Sequence, residues 1–243
     1  MESVLDVAGL QKRFGAITVA DDVTFSLARG TVLGVIGPNG AGKSSLFNLI
    51  IGATRADAGS IRLAGQEIGG LAPHLRARLG IGRAFQIPQP FPHLTVYENV
   101  LAAATFAGGR HGIAAARDAL AVLAATDLAD KVNVPAGTLS LLDRKRLEFA
   151  KALAPRPKLL LLDEIAAGLT EPEVEQLVAA IARAKADHAI IWIEHIPHAL
   201  RSVADRIMVL HFGRKLLDGP PGEVMASAVV REIYMGLSED DVA

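Results

Sequence analysis

Apolar and polar positions along the chain fall into two rhythms, a two-residue alternation and a helical spacing, broken by short continuous apolar runs. Val4, Asp6 and Val7 lie in a short extended stretch predicted to end at Gly9, before a turn at Arg13, Phe14 and Gly15. Val23, Phe25 and Leu27 alternate with polar or small residues, the period of a half-buried strand. Arg29 and Gly30 then turn the chain into a largely apolar run from Thr31 to Ile36, read as a buried strand. Ser45 to Ile51 reads as the apolar face of a helix. Asp57 to Ser60 is predicted as a turn, with Ile61 and Leu63 alternating as another short strand.

The pattern changes at Ile87. Residues 87–94 hold three prolines and cannot form a helix interior. Beyond Thr95 the chain is rich in Ala and Leu, which predicts helices near 95–107 and 114–129 with a break at Gly108 and Gly109, and a third helix from Leu139 to Leu153. Lys158 to Asp163 is a continuous apolar run ending in the carboxylates Asp163 and Glu164, as buried parallel strands do. Thr170 and Glu173 form a capping box. Val174, Leu177, Val178 and Ile181 follow on one helical face. Ala189 to Ile193 is a second buried strand, ending at Glu194 and His195. Ile207 to Leu210 and Lys215 to Asp218 form a hairpin around Phe212 and Gly213, and Gly222 to Met235 reads as one amphipathic helix. The last eight residues are expected to fray.

These elements alternate as in an α/β protein. Residues 87–153 stand out as a small helical subdomain inserted into a core made of 1–86 and 154–243. With 243 residues, 51% of them hydrophobic, the chain has enough material for a sizeable core. Its 25 basic and 26 acidic residues give no electrostatic reason to expect nucleic acid as a partner. The lack of cysteine excludes disulfides and thiolate metal sites, and suits a reducing compartment. Mean hydropathy is +0.33, yet no apolar run approaches the ~20 residues that span a bilayer. The N-terminus lacks the layout of a signal peptide.

The chemistry concentrates at Gly37 to Ser44, which fits G-x-x-x-x-G-K-[ST] at every fixed position, between a predicted strand and a predicted helix. Glycines in such a loop let backbone N–H groups close around phosphate oxygens, and the helix N-terminus adds its positive dipole end. Gly37, Pro38, Asn39, Gly40, Ala41, Gly42, Lys43, Ser44 and Ser45 are therefore the candidate nucleotide-binding residues. Lys43 is expected to neutralise the β- and γ-phosphates and the Ser44 hydroxyl to sit on Mg²⁺. Asp163, at a strand end, is the candidate to hold the same Mg²⁺ opposite Ser44. Glu164 is the candidate to polarise the water that attacks the γ-phosphate.

With these motifs the chain resembles the ATP-binding-cassette (ABC) ATPases along nearly its whole length. The resemblance implies a P-loop NTPase core sheet with an antiparallel β edge subdomain and an inserted helical subdomain. It gives Gln86 a contact to Mg²⁺ and the attacking water, His195 a hydrogen bond to the γ-phosphate, and Phe14 the stack on adenine. It aligns the family's signature Leu-Ser-Gly-Gly-Gln with Leu139, Ser140, Leu141, Leu142 and Asp143, and Ser140 then contacts the γ-phosphate bound to a second subunit. Leu141 and Leu142 replace glycines, and Asp143 either adds negative charge near that phosphate or caps its own helix. Thr170 stands where the family often has Asp.

Several stretches are similar to the ATPases of branched-chain amino acid importers: Gly82 to Gln86, Leu94 to Val100, Arg146 to Lys151, Ala166 to Leu169 and Trp192 to His195. The implied cofactors are ATP and Mg²⁺. The implied partners are a second ABC ATPase chain (in a homo- or heterodimer), separate transmembrane permease subunits and, indirectly, a solute-binding protein. The implied place is the cytoplasmic face of the inner membrane. The region from Gln86 to Val100, with Phe91, Leu94, Val96 and Tyr97, is the expected docking surface for the permease. The rival readings are an ATP-dependent clamp or regulatory module, and a soluble ABC ATPase not engaged in transport.

Overall fold

The computed structural model describes residues 3–235. The first elements are β1 (Ser3–Phe14), β2 (Ile17–Ala28), β3 (Val32–Ile36), α1 (Lys43–Ile51), β4 (Ala58–Leu63), β5 (Gln66–Glu67), α2 (Pro73–Leu79) and β6 (Ile81–Ala84). Three helices follow, α3 (Val96–Phe106), α4 (Gly112–Ala125) and α5 (Leu141–Leu153). The chain continues through β7 (Leu159–Asp163), α6 (Glu171–Lys185), β8 (Ala189–Ile193), α7 (Pro197–Val203), β9 (Arg206–His211), β10 (Arg214–Gly219), α8 (Pro221–Ala226) and α9 (Ala228–Met235).

The strands form two sheets. One is antiparallel, in the order β2-β1-β4-β5; the other runs β10-β9-β3-β8-β7-β6, parallel except for the antiparallel edge strand β10. Strands β3, β7 and β8 are buried at every position, which is why they read as continuous apolar runs. An apolar cluster containing Phe47, Leu49, Leu161 and Ile191 joins one face of the parallel sheet to α1 and the antiparallel sheet. The other face buries Trp192, Leu162, Leu177 and Ile181 beneath α6 and α7. A third cluster, with Val96, Val100, Leu123 and Leu147, lies wholly within residues 96–154 and holds α3, α4 and α5 together.

Several boundaries differ from the sequence expectation. The first strand does not stop at Gly9. That glycine, at φ +58°, is absorbed at a register shift between Val7 and Leu10, and pairing continues to Phe14. Residues 58–60 are strand rather than turn: a Cβ on Gly59 would lie 2.4 Å from the Gly9 carbonyl, so glycine there permits a close crossing of β1 and β4. Helix α4 ends at Ala125, short of the expected 129. Thr126 bonds back to the Val122 carbonyl, and Asp127 turns left-handed at φ +58°. The segment 222–235 forms two helices, because the Ser227 hydroxyl accepts from the Val230 N–H and starts a new one. The expected fraying of the last eight residues lies outside the described residues.

Helix α2, strand β6 and helix α7 were not anticipated. Seven residues of α2 give no readable period, yet its Arg76 is 2% exposed and donates to the carbonyls of Leu49 and Ile50. Arg76 thus satisfies open backbone groups at the C-terminal end of α1.

Candidate functional site

The loop between β3 and α1 is shaped by two contacts that exclude side chains. A Cβ on Gly37 would lie 2.2 Å from the Leu210 carbonyl, and one on Gly42 would lie 2.4 Å from the Val19 carbonyl. Both residues also have positive φ, 156° and 104°. The loop is further tied to the β9–β10 turn, where Gly213 N–H donates to the Ala41 carbonyl. Asn39, Gly40 and Ser44 are exposed, Pro38, Gly42 and Ser45 half-buried, and Ala41 buried. Helix α1 begins without a side-chain cap, so its first N–H groups are donors available to an anion. Lys43 is 6% exposed, and its Nζ donates to the carbonyls of Gly37 and Pro38 at 2.6 and 3.0 Å. Burial pushes its ammonium below the ordinary lysine value, against the pull of Glu164 and Asp163.

Three catalytic candidates meet just beyond the C-terminal ends of the parallel strands, the usual ligand edge of open α/β sheets. Gln86 Nε2 donates to Glu164 Oε2 at 2.7 Å, and His195 Nε2 lies 2.7 Å from Glu164 Oε1. Gln86 follows β6, Glu164 follows β7 and His195 follows β8, three adjacent strands. Glu164 has φ +47° and donates its N–H to the Ile193 carbonyl at 2.8 Å. A left-handed glutamate costs roughly 1 kcal/mol, and such strain marks functional positions.

Asp163 ends β7 with its side chain 10% exposed, paired with Arg83 at 2.7 Å. The hard oxygen donors of Ser44, Asp163 and Gln86 fit Mg²⁺. That ion is held by one or two carboxylates plus substrate phosphates rather than by an all-protein cage.

Phe14 and Ser140 belong to other parts of the surface. Phe14, at the tip of the β1–β2 hairpin, is 52% exposed, with Lys12 Nζ 5.0 Å from its ring centre. It is therefore a surface ring and not part of the core. Ser140 is the N-cap of α5; its hydroxyl accepts from the Asp143 N–H and donates to the Asp143 carboxylate. Asp143 is not the cap of its helix, a place taken by Ser140; its carboxylate is instead buried, accepts from the Ser140 hydroxyl and is salt-bridged to Lys131 and Arg146. Burial works against its charge, but the hydrogen bonds from Lys131 and Ser140 and the charges of Lys131 and Arg146 hold the carboxyl below its ordinary value. Leu141 is 45% exposed and Leu142 buried. Thr170 completes the predicted capping box with Glu173.

In the expected docking stretch, Phe91 and Leu94 are exposed, but Val96 is fully buried and Tyr97 packs against the α3–α5 core. Those two belong to the helical core and are withdrawn from the docking surface. Ile87, by contrast, is 72% exposed.

Sequence reasoning missed three charged residues around the site. Arg83, within the stretch from Gly82 to Gln86, pairs with Asp163. Lys145, 2% exposed, donates to the Gln86 carbonyl at 2.6 Å; burial lowers its ammonium, opposed by Glu194, Glu164 and Glu148. Glu194, 1% exposed, accepts from the N–H groups of Ala166 and His195. For Arg83 and Glu194 the available signal was a charged residue inside or just after an otherwise apolar strand; Lys145, in a helix rich in charge, offered none.

Comparison with known proteins gives one answer. Residues 20–167 match the ABC transporter family. The high-affinity branched-chain amino acid transport ATP-binding protein BraF of Pseudomonas aeruginosa is 36% identical, over 96% of this chain and 98% of its own. The corresponding LivG protein of Escherichia coli K12 is 34% identical, over 97% and 98%. The crystal structure of an ATP-binding cassette of an ABC transporter, in its ADP conformation, superposes with a TM-score of 0.88 at 28% identity, covering 98% of this chain and all of the other. A strand, a side-chain-excluding glycine loop and a helix, with carboxylates on the next strand ends, recur here in their family setting: the chain belongs to the ABC transporter family of ATP-binding subunits.

Proposed function

We propose that this chain is the ATP-hydrolysing subunit of an importer for branched-chain or related hydrophobic amino acids. The observation that carries the reading is Glu164, held from both sides by Gln86 and His195 at the edge of three adjacent strands, beside a loop shaped for phosphate. The solute class rests on the names of the BraF and LivG relatives.

In this reading Gly37, Pro38, Asn39, Gly40, Ala41, Gly42, Lys43, Ser44 and Ser45 hold the ATP phosphates, and Phe14 supplies an exposed ring for the adenine. Ser44, Asp163 and Gln86 would hold Mg²⁺, which would supply positive charge to the transferring phosphate. Glu164 accepts a proton from the water that attacks the γ-phosphorus. Gln86 and His195 hold the carboxylate in line, and His195 also serves the γ-phosphate. Ser140 acts on the nucleotide of a second ATPase chain, from a helix N-terminus whose own acid is already neutralised.

Residues 1–86 with 154–243 form the nucleotide-binding core, and 87–153 the helical subdomain, a division supported by the separate apolar cluster of α3–α5. No helix among the described residues is long and apolar enough to cross a membrane. The membrane path is assigned to separate permease subunits, fed by a solute-binding protein, with this chain peripheral on the cytoplasmic face. Ile87, Phe91 and Leu94 offer the permease an exposed apolar edge. It lies near a groove of about 300 Å³ lined by Ile51, Phe85, Ala103, Ala107 and Lys151.

The decisive experiment compares the assembled complex with its Glu164→Gln variant. The variant is expected to retain Mg²⁺-dependent ATP binding while turnover drops at least about a hundredfold. Equal turnover in the two would remove Glu164 from the chemistry, and absence of turnover in the parent complex would favour a clamp.

A further inference from the structure

Asp163 shares its carboxylate with a cation built into the neighbouring strand. Arg83 pairs with Leu161 in the parallel register of β6 and β7. Leu161 and Asp163 are two residues apart on β7, so the three side chains share one face of the sheet. That face is covered by α1. There Arg83 Nη2 lies 2.7 Å from Asp163 Oδ2, and Nη1 donates to Asn48 Oδ1 at 3.0 Å. The guanidinium sits between two rings, 5.8 Å from the centre of Phe47 and 4.6 Å from that of Phe85. The paired side chains are only 13% and 10% exposed, so the interaction is weakly screened. Arg83 Nε is buried with no hydrogen-bond partner; the fork is held at its two tips and not along its stem.

A guanidinium and Mg²⁺ both seek carboxylate oxygen. We propose that Arg83 is a positioning residue, the built-in counter-cation of Asp163, which competes with Mg²⁺ for that carboxylate and so sets the Mg²⁺ concentration at which nucleotide is held. The inference rests on the nucleotide-site reading above. It also gives Phe85 a purpose, because its ring seats the guanidinium at the groove that both residues line.

The test titrates a fluorescent ATP analogue against the full chain at a series of Mg²⁺ concentrations and in EDTA. Arg83→Met is expected to lower the half-saturating Mg²⁺ roughly tenfold, the effect of removing one close, partly buried charge. The same loss of positive charge should weaken analogue binding in EDTA, a paired signature that a merely structural arginine does not produce. Arg83→Lys keeps the charge and should stay near the parent midpoint. If the methionine variant does not fold, Arg83→Gln, which keeps a donor for Asn48, carries the measurement. A folded neutral variant with an unchanged or higher Mg²⁺ midpoint overturns the proposal. If the parent chain itself shows no Mg²⁺-dependent affinity, the nucleotide reading fails and the proposal with it.

Discussion

Glu194 illustrates how a single residue can stabilise a site at a cost to the fold. Its carboxylate receives two backbone N–H groups and so fixes the start of the segment carrying His195. Burial raises its carboxyl above the ordinary 4.5, with the hydrogen bonds from His195 and Ala166 opposing. An unfolded chain ionises the group near 4.5, whereas the folded protein keeps its proton to higher pH. Between those two values the folded state binds more protons, so stability falls as pH climbs through the window. Glu194→Gln has no charge to bury. Its melting temperature relative to the parent should therefore rise from pH 4 towards neutrality, measured by thermal unfolding at fixed ionic strength. A flat difference would mean that the buried charge is not the cost assigned to it. In the sequence this glutamate read only as a strand end beside the histidine. Its burial depends on the loop from Glu164 to Leu169 folding back across β8, which no local pattern encodes. The phosphate loop was legible because fixed spacing within a few residues carries its whole shape. Arg83 was not, since its partner lies eighty positions further along.

At the level of elements, two helices start with hydroxyl caps of different meaning. Thr170 caps α6 through a complete box with Glu173, and Ser140 caps α5 through Asp143. Replacing either residue by alanine should cost about 1 kcal/mol in denaturant unfolding. Only Ser140→Ala should also lower ATP turnover by the assembled complex; Thr170→Ala should leave it at the parent level. Matching turnover in both variants would reduce Ser140 to a cap. The long elements were readable because period and caps agreed, as in α6. Short ones such as α2 were not: seven residues cannot establish a rhythm, and its reason for existing is a buried arginine that seals another helix. Chain punctuation also misled. Gly59 and Asp57 look like a turn, but the glycine serves a close strand crossing and the aspartate binds Lys12 and the Arg13 N–H.

Across the whole molecule, the exposed edge at Phe91 is separable from the nucleotide site. Phe91 is anchored by its backbone, donating to Asn99 Oδ1 and accepting from Asn99 Nδ2, while its ring remains 56% exposed. Phe91→Asp should therefore leave melting temperature and nucleotide affinity close to the parent, whereas Ile87→Asp, beside Gln86, is expected to leave only the melting temperature so. Each should weaken retention of the permease subunits by roughly 1–3 kcal/mol, read by co-purification at graded detergent washes. Undiminished retention would move the docking surface elsewhere. The three-helix stretch stood out in the sequence because its Ala- and Leu-rich composition differs from that of its flanks; the order of the strands did not, since a four-residue strand such as β6 carries no readable pattern. Which of the proline-flanked apolar residues face outward was not legible either, since Val96 and Phe91 look alike until the helix start is fixed.

The parallel ladder of β6, β7 and β8 acts as a ruler for the site. Leu162 is flanked by Ala84 on one side and Trp192 on the other, and Asp163 by Ile193. Gln86, Glu164 and His195 lie two, two and three residues beyond the line of Ala84, Leu162 and Trp192. Deleting one residue inside β7 would slide the Glu164 carboxylate by about 3.3 Å and swap the faces of everything beyond it. Insertions in the connecting loops would leave the line untouched. Changes in loop length are thus expected to be tolerated where changes in strand length are not.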